Sequence, residues 1–398
     1  MEHVRTLGAM PEVQADAHVT QAPDEDRRLD FMRICMVGLR GIPNVQGGVE
    51  THVEQLVSNL VELGADVHVF ARKNYVSDTN PYVWRGITVH PLWAPRNTKL
   101  EAIFHTVLAL LKARFLNPDI VHIHAVGPSL VVPLARILGL RVVFTHHGYD
   151  YDREKWSSLE KRILRLGEWA GMRFSHARIA IAKHIADRMQ KDFQEPVHFI
   201  PNGVKVDTRN LDDSVLKEFG LEKGRYVLLV ARLVAEKRQR DLIEAFVEAK
   251  LKGIKLVLVG GGDSGSDYVS ELETLANKVP GVVLTGVQSG RKLSSLFANA
   301  GLFVLPSSHE GMPIALLEAI AHGLPVLASD IEANIALGLD DGAYFPLGNI
   351  QALSVALRSR MEDRQLSRTA RQHGARIVSK YDWHTIGLKT AEIYKSIP

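Results

Sequence analysis

Leu305–Asp330, LPSSHEGMPIALLEAIAHGLPVLASD, reads as the end of a buried strand, a loop, a helix, a turn and the next strand. Pro313 suits the first helical position, where its missing N–H costs nothing, and Gly311 lets another backbone or a ligand come close before the helix begins. A helix that opens this way presents free N–H groups and a positive dipole end, which suits a phosphate. Glu310 stands in the loop before that opening, and Glu318 lies about 8–9 Å further along the helix axis. A ligand with a phosphate between two polar ends can touch both. The plainer alternative is a surface acid and a solvated helix face. His322-Gly323 stops the helix, and Pro325 to Ala328 restarts as a short buried strand.

Working outward, the same strand–loop–helix grammar runs through both halves of the chain, and 398 residues suit two domains better than one core. The expected fold class is α/β, with two Rossmann-like halves. The first strand is Arg33 to Val37, followed by a glycine-rich loop, Gly38 to Gly48, and a helix from Val49 to Leu63. Gly47-Gly48 at the helix entrance can take a diphosphate on backbone amides, although G-x-G-x-x-G is absent. Further strands are expected at 66–70, 82–91, 120–124, 141–144 and 197–200, then at 226–230, 255–259, 282–287 and 302–305. The helix Lys99 to Leu116 is apolar around most of its circumference; core packing is the expected reason, a membrane-facing element the alternative.

Composition removes several classes. Charge is nearly balanced at +3, so the chain as a whole is not a nucleic-acid binder. A single cysteine, Cys35, forbids an internal disulfide and reads as a small core residue in a reducing compartment. No apolar run approaches the ~20 residues that span a bilayer, so the expectation is a cytoplasmic protein. Residues 1–30 lack periodicity and read as a disordered leader, with Met32 offering a second start.

Several polar residues fall where ligands bind open parallel sheets. His122-x-His124 invites a metal, but no third ligand of the expected kind follows, and no Asp-x-Asp site ends a strand; neither a metal nor another cofactor is expected. His147, beside Gly148 at a strand's carboxyl end, is placed to face a crevice. Arg232 and Lys237 flank a strand-to-helix loop where two cations can neutralise a diphosphate. From Arg153 to Lys191, bases alternate with apolar residues at helical spacing. A solvated face is the default there, and docking on anionic lipid is the competitor.

The pattern glutamate, seven residues, glutamate inside HEGMPIALLEAIAHGLPVLASD resembles the donor-site signature of family 4, group 1 type, retaining glycosyltransferases of the GT-B fold. Gly47-Gly48, Thr145-His146-His147, Pro201-Asn202-Gly203-Val204 and Arg232-Leu233-Val234-Ala235-Glu236-Lys237 resemble other motifs of that family. The resemblance covers nearly everything from Arg33 onward. It implies an acceptor domain at 31–205, a nucleotide-sugar donor domain at 206–378, and a final segment, 379–398, crossing back to the first domain. Glu318 would hold the ribose of a nucleotide-sugar and Glu310 would lie beside the donor sugar, with the Gly311-Met312-Pro313-Ile314 backbone cradling it. His147 would support the sugar, Arg232 and Lys237 the departing diphosphate. Gly47, Gly48, Asn202, Gly260 and the backbone at Val287 would complete the donor site. Ala231 and Arg238 depart from the pattern, standing where glycine is usual or frequent. Arg40 to Pro43 and Gly47 to Thr51 look like bacterial enzymes that assemble surface polysaccharides, which implies a saccharide or lipid-linked saccharide acceptor at the inner membrane face. A nucleotide-sugar epimerase or a non-catalytic nucleotide-sugar-binding partner subunit are the alternatives.

Overall fold

A computed structural model describes residues 29–96, 100–153, 156–205, 211–262, 265–363 and 366–398. Most of the expected leader, Lys99 at the start of the apolar helix, Lys155 in the basic stretch, Thr208 in the interdomain segment and Asp263 lie outside the described residues. The strands are β1 (Arg33–Val37), β2 (Asp66–Arg72), β3 (Tyr82–Trp84), β4 (Ile87–Leu92), β5 (Ile120–His124), β6 (Val142–His146), β7 (Ala177–Ala180) and β8 (His198–Phe199), then β9 (Tyr226–Val230), β10 (Lys255–Val259), β11 (Val282–Gly286), β12 (Leu302–Leu305), β13 (Val326–Ser329) and β14 (Tyr344–Phe345). The helices are α1 (Gly48–Glu62), α2 (Glu101–Leu116), α3 (Val132–Ile137), α4 (Ser158–Phe174), α5 (Lys183–Phe193), α6 (Ser214–Glu218), α7 (Gln239–Ala249), α8 (Asp267–Lys278), α9 (Gly290–Asn299), α10 (Ile314–Ala321), α11 (Glu332–Ile335), α12 (Ile350–Glu362), α13 (Leu366–Val378) and α14 (Trp383–Lys395).

Two sheets result. The first runs β3-β4-β2-β1-β5-β6-β7-β8, parallel except for β3, and the second runs β11-β10-β9-β12-β13-β14, parallel throughout. Leaving aside edge strands β3 and β8, each has the doubly wound order 3-2-1-4-5-6. Its switch point lies between β1 and β5 in one sheet and between β9 and β12 in the other. Their central strands are buried on both faces, as a sheet covered by helices on both sides requires, with His122, His124, Thr145 and His146 as buried polar residues of the first. The fold is therefore α/β with two Rossmann-like sheets, as the sequence led us to expect.

The last helix ties the end of the chain to the first sheet. Val204 N–H donates to the Tyr381 carbonyl at 2.7 Å, and Trp383 packs on Gly203. Ile386, Ala391 and Tyr394 are buried with Val53, Leu56 and Leu60 of α1. Two sequence expectations change. α2 is not wholly core: Ala109, Leu110 and Ala113 are buried, whereas Phe104, Leu108, Leu111 and Phe115 form an exposed stripe. A helix apolar all round carries no periodicity to show which face meets the sheet. The basic stretch is likewise two helices separated by buried β7, in which Arg178 donates to the Met172 carbonyl instead of facing solvent.

Candidate active site

Both switch points open at strand carboxyl ends onto one cleft of about 860 Å³, lined by every residue singled out above as catalytic or donor-binding. The second sheet supplies the loops after β9, β10, β11 and β12. Pro313 proves to be the N-cap of α10, in extended conformation, one position earlier than its fit to a first helical turn suggested. The first intrahelical bond, Leu317 N–H to the Pro313 carbonyl, leaves the amides of Ile314, Ala315 and Leu316 at the open end. Glu318 is half-buried, and among the described residues nothing donates to its carboxylate. Burial raises its pKa from 4.5 to about 7.

Arg232 follows β9, and its guanidinium has no hydrogen bond or ion pair among the described residues. Burial, then the like charges of Arg40 and Arg153, pull its pKa down. A cation and a carboxylate left unpartnered in one cleft are positioned for a ligand bearing a phosphate and a hydroxylated ring. Lys237 and Glu310 are instead engaged with each other at 2.5 Å, with side chains only 18% and 10% exposed. Sequence reasoning assigned them to different parts of a ligand and did not foresee this pairing. Arg238, in the place where glycine is frequent, adopts φ 51°, the left-handed conformation that glycine tolerates at no steric cost. Its ion pair with Asp241 at 2.5 Å offsets part of that strain. After β10, Gly260 lies where a Cβ would fall 1.9 Å from the Ala231 carbonyl, so the two loops touch backbone to backbone. Val287, beyond β11, is exposed at the rim.

The first sheet faces these loops. Gly47 caps α1 and Gly48 opens onto free space. Arg40, which the sequence placed in a motif but gave no site role, donates its backbone N–H to Glu50 at 3.0 Å and sets its guanidinium 3.6 Å from the same carboxylate. β6 extends through Thr145 and His146, further than the sequence suggested, and His147 is the first residue beyond it. His146 is buried and bonded to Glu168 at 2.8 Å, so of the two adjacent histidines only His147 faces the cleft. His147 Nε2 meets His124 Nδ1 at 3.0 Å, and its ring stands edge-on to His52 with centroids 4.8 Å apart. Burial pulls the pKa values of His52, His124 and His147 down, that of His52 to about 4, so all three rings are neutral near pH 7.

Asn202, assigned to donor binding, lines the cleft and also has structural partners. Its Nδ2 donates to the Met312 carbonyl at 3.0 Å and its Oδ1 meets His52 Nδ1 at 2.8 Å, so the side chain braces the two halves. Met312 and Gly311 also join them: Met312 packs against both the second core and the cluster beneath α4 and α5. A Cβ on Gly311 would lie 2.0 Å from the His147 carbonyl. Gly311 thus admits backbone from the facing half.

Residues 46–208 match the family model described as Glycosyltransferase Family 4, and residues 213–376 match Glycosyl transferases group 1. The chain is 26% identical over 402 residues to glycogen synthase of Mycobacterium tuberculosis, covering 91% of this chain and 94% of that one. It is 28% identical over 304 residues to UDP-Gal:alpha-D-GlcNAc-diphosphoundecaprenol alpha-1,3-galactosyltransferase of Escherichia coli, covering 72% and 78% respectively. Among solved structures it is similar to sucrose-phosphate synthase from Thermosynechococcus elongatus, with TM-score 0.80, 20% identity and coverage of 92% and 98%. It is also similar to Anabaena HepE in complex with UDP-glucose, with TM-score 0.75, 20% identity and coverage of 92% and 100%. With paired doubly wound sheets and matches spanning both of them, the chain belongs to the group 1, family 4 glycosyltransferases of the GT-B fold.

Proposed function

We propose that this glycosyltransferase is a metal-independent, retaining hexosyltransferase. It moves a hexose or deoxyhexose from a nucleoside diphosphate sugar to a hydroxyl of a lipid-linked saccharide. The observation that carries the reading is the pair of groups without partners among the described residues, Arg232 and Glu318, lining one cleft with the open amides of α10. Glu318 accepts from the ribose hydroxyls, and the diphosphate lies on the α10 amides and Arg232. The acceptor oxygen forms its bond to the anomeric carbon on the face from which the phosphate oxygen departs. The bond from that carbon to the phosphate oxygen breaks, and the acceptor proton passes to the departing phosphate. Charge stabilisation by Arg232, Lys237 and the helix amides, with positioning, supplies most of the rate. Glu310, held by Lys237, accepts from sugar hydroxyls. His147, neutral at working pH, lies beside the ring.

The lipid-linked acceptor is favoured by two exposed apolar stripes beside the cleft mouth. α2 presents Phe104, Leu108, Leu111 and Phe115; α4 presents Leu159, Ile163, Leu166 and Trp169 among Lys161, Arg162 and Arg165. Both helices pack on the same short turn, Pro128–Val131, and both contribute to the cleft lining. Apolar residues framed by bases suit an anionic bilayer surface. Among the described residues no helix is long and apolar enough to cross a membrane.

The test is release of nucleoside diphosphate from a panel of UDP-, GDP- and dTDP-sugars, in chelator, with and without membrane-lipid extract. Turnover of one donor that depends on the extract is expected. A strict need for Mg²⁺ or Mn²⁺, conversion of donor without acceptor, or silence across the panel would overturn the reading.

A further inference from the structure

The first-sheet half of the cleft gathers three histidines that no sequence spacing connects. His52 comes from the first turns of α1, His124 from the end of β5 and His147 from just beyond β6. One ring nitrogen from each lies within 4.8 Å of the others, and among the described residues this is the only cluster of its kind. A tetrahedral ion with Zn–N bonds of about 2.0–2.1 Å spaces its ligand nitrogens about 3.3–3.4 Å apart, so modest ring rotations close the site.

Two further observations point to a ligand. His124 is fully buried and, among the described residues, its Nε2 has no partner; its Nδ1 shares a proton with His147 Nε2 at 3.0 Å, a contact that rotation of the rings gives up when an ion binds. The second concerns His52: because the Asn202 amide donates to the Met312 carbonyl, it turns its oxygen to His52, and His52 Nδ1 therefore carries the proton. The His52 Nε2 lone pair is left free, with the ring held from behind as outer-shell partners hold metal-ligating histidines.

We propose that His52, His124 and His147 form a binding site for a single borderline transition-metal ion of the Zn²⁺, Co²⁺ or Ni²⁺ class. The donor set is all nitrogen, which disfavours Mg²⁺, Mn²⁺ and Ca²⁺ and separates this site from any metal that might accompany a diphosphate. The ion reaches it through the cleft, onto which His147 opens. Its consequence rests on the glycosyl-transfer reading: with His147 ligated the ring no longer serves the sugar, so the ion inhibits transfer, and chelator leaves transfer intact or raises it.

The test uses the full chain and the ion alone, with no donor present. Equilibrium dialysis should retain one Zn²⁺ per chain. Co²⁺ should give the visible bands of a low-coordinate nitrogen site, and X-ray absorption at the Zn edge should show three imidazoles. His52→Asn and His124→Asn should each weaken retention at least tenfold, whereas His105→Asn, a buried histidine outside the cluster, should not. No retained ion, retention unchanged in both cluster variants, or fewer than three imidazoles in the wild-type spectrum overturns the site. The wild-type spectrum stands even where a variant fails to fold. Because dialysis reads binding without turnover, it separates failure of the site from failure of the transferase reading.

Discussion

The two walls of the cleft treat their polar groups differently. On the first-sheet wall they face each other: Arg40 with Glu50, His146 with Glu168, His124 with His147, and His52 with Asn202. On the second-sheet wall Lys237 and Glu310 pair in the same way, but Arg232 and Glu318 have no partner among the described residues and face the cleft. Groups that satisfy one another are pre-organised and present a fixed surface. Groups held apart carry a desolvation penalty that only a ligand relieves. The second wall is thus built around a charged, hydroxyl-bearing ligand, and the first around keeping a few side chains in place.

The comparison breaks most visibly if Arg232 is not needed. Arg232→Ala should lower kcat by about 10²–10³-fold with little change in donor KM, the scale seen when one preorganised stabiliser of developing charge is lost. A variant with wild-type kcat would remove the central cation from the proposed chemistry.

Glu318→Gln sharpens the same contrast because it separates binding from stability. Charge-assisted hydrogen bonds to ribose are worth about 1.5–3 kcal/mol, so nucleotide affinity should fall about 10–150-fold. Stability should move the other way. The folded protein ionises Glu318 at about 7 and the unfolded chain near 4.5. Between those values the folded state holds a proton that the unfolded state has released, so stability declines as pH rises through that window. Above it the ionised carboxylate costs about 3 kcal/mol. Without nucleotide, Glu318→Gln should melt higher than wild type at pH 8 and equally at pH 4.5. Wild-type nucleotide affinity should weaken as pH falls below about 7. A Tm difference that does not change with pH would show that the carboxylate is not the buried, uncompensated group described.

How much of this was legible in the sequence follows from which interactions are local. β1, β9, β10 and β12 were readable because strands buried on both faces are nearly continuous apolar runs. Arg232, Lys237, Glu310 and Glu318 were readable as cleft residues because each lies within a loop or helix turn of a strand end, where an open α/β sheet binds. The Lys237–Glu310 pair was not, since the partners are 73 residues apart and only sheet order brings them together. His52 was missed for a similar reason. It sits mid-turn on a helix with no motif of its own, and the histidine cluster exists only because the fold brings α1, the end of β5 and the residue after β6 together. The exposed stripe of α2 was hidden by the opposite problem, an excess of apolar residues with no polar face to orient it.

A smaller effect is expected at the seam between the walls. Gly311→Ala sets a methyl against the His147 carbonyl, with backbone on both sides to resist it. Overpacking of this kind costs about 1–3 kcal/mol. A lowered Tm together with reduced kcat, as His147 moves relative to Glu310, is the expected result. Wild-type values for both would mean that the walls do not meet here.

The least effect should come from Gln46, and it tests whether the walls are held in register by polar contacts as well as by packing. Its Oε1 accepts from Gly261 N–H at 3.1 Å, joining the glycine loop of α1 to the loop after β10. Both partners lie on loops facing the ligand, and the bond is only partly buried. Gln46→Ala should therefore forfeit about 1 kcal/mol, seen as about a fivefold rise in donor KM with kcat unchanged. A fall in kcat approaching that of Arg232→Ala would place Gln46 among the groups that act on the reacting atoms, and the first wall would no longer be purely a fixed surface. An unchanged KM would assign the register to Asn202, Met312 and Gly311 alone, where side chain and backbone of the two walls already meet without an exposed link.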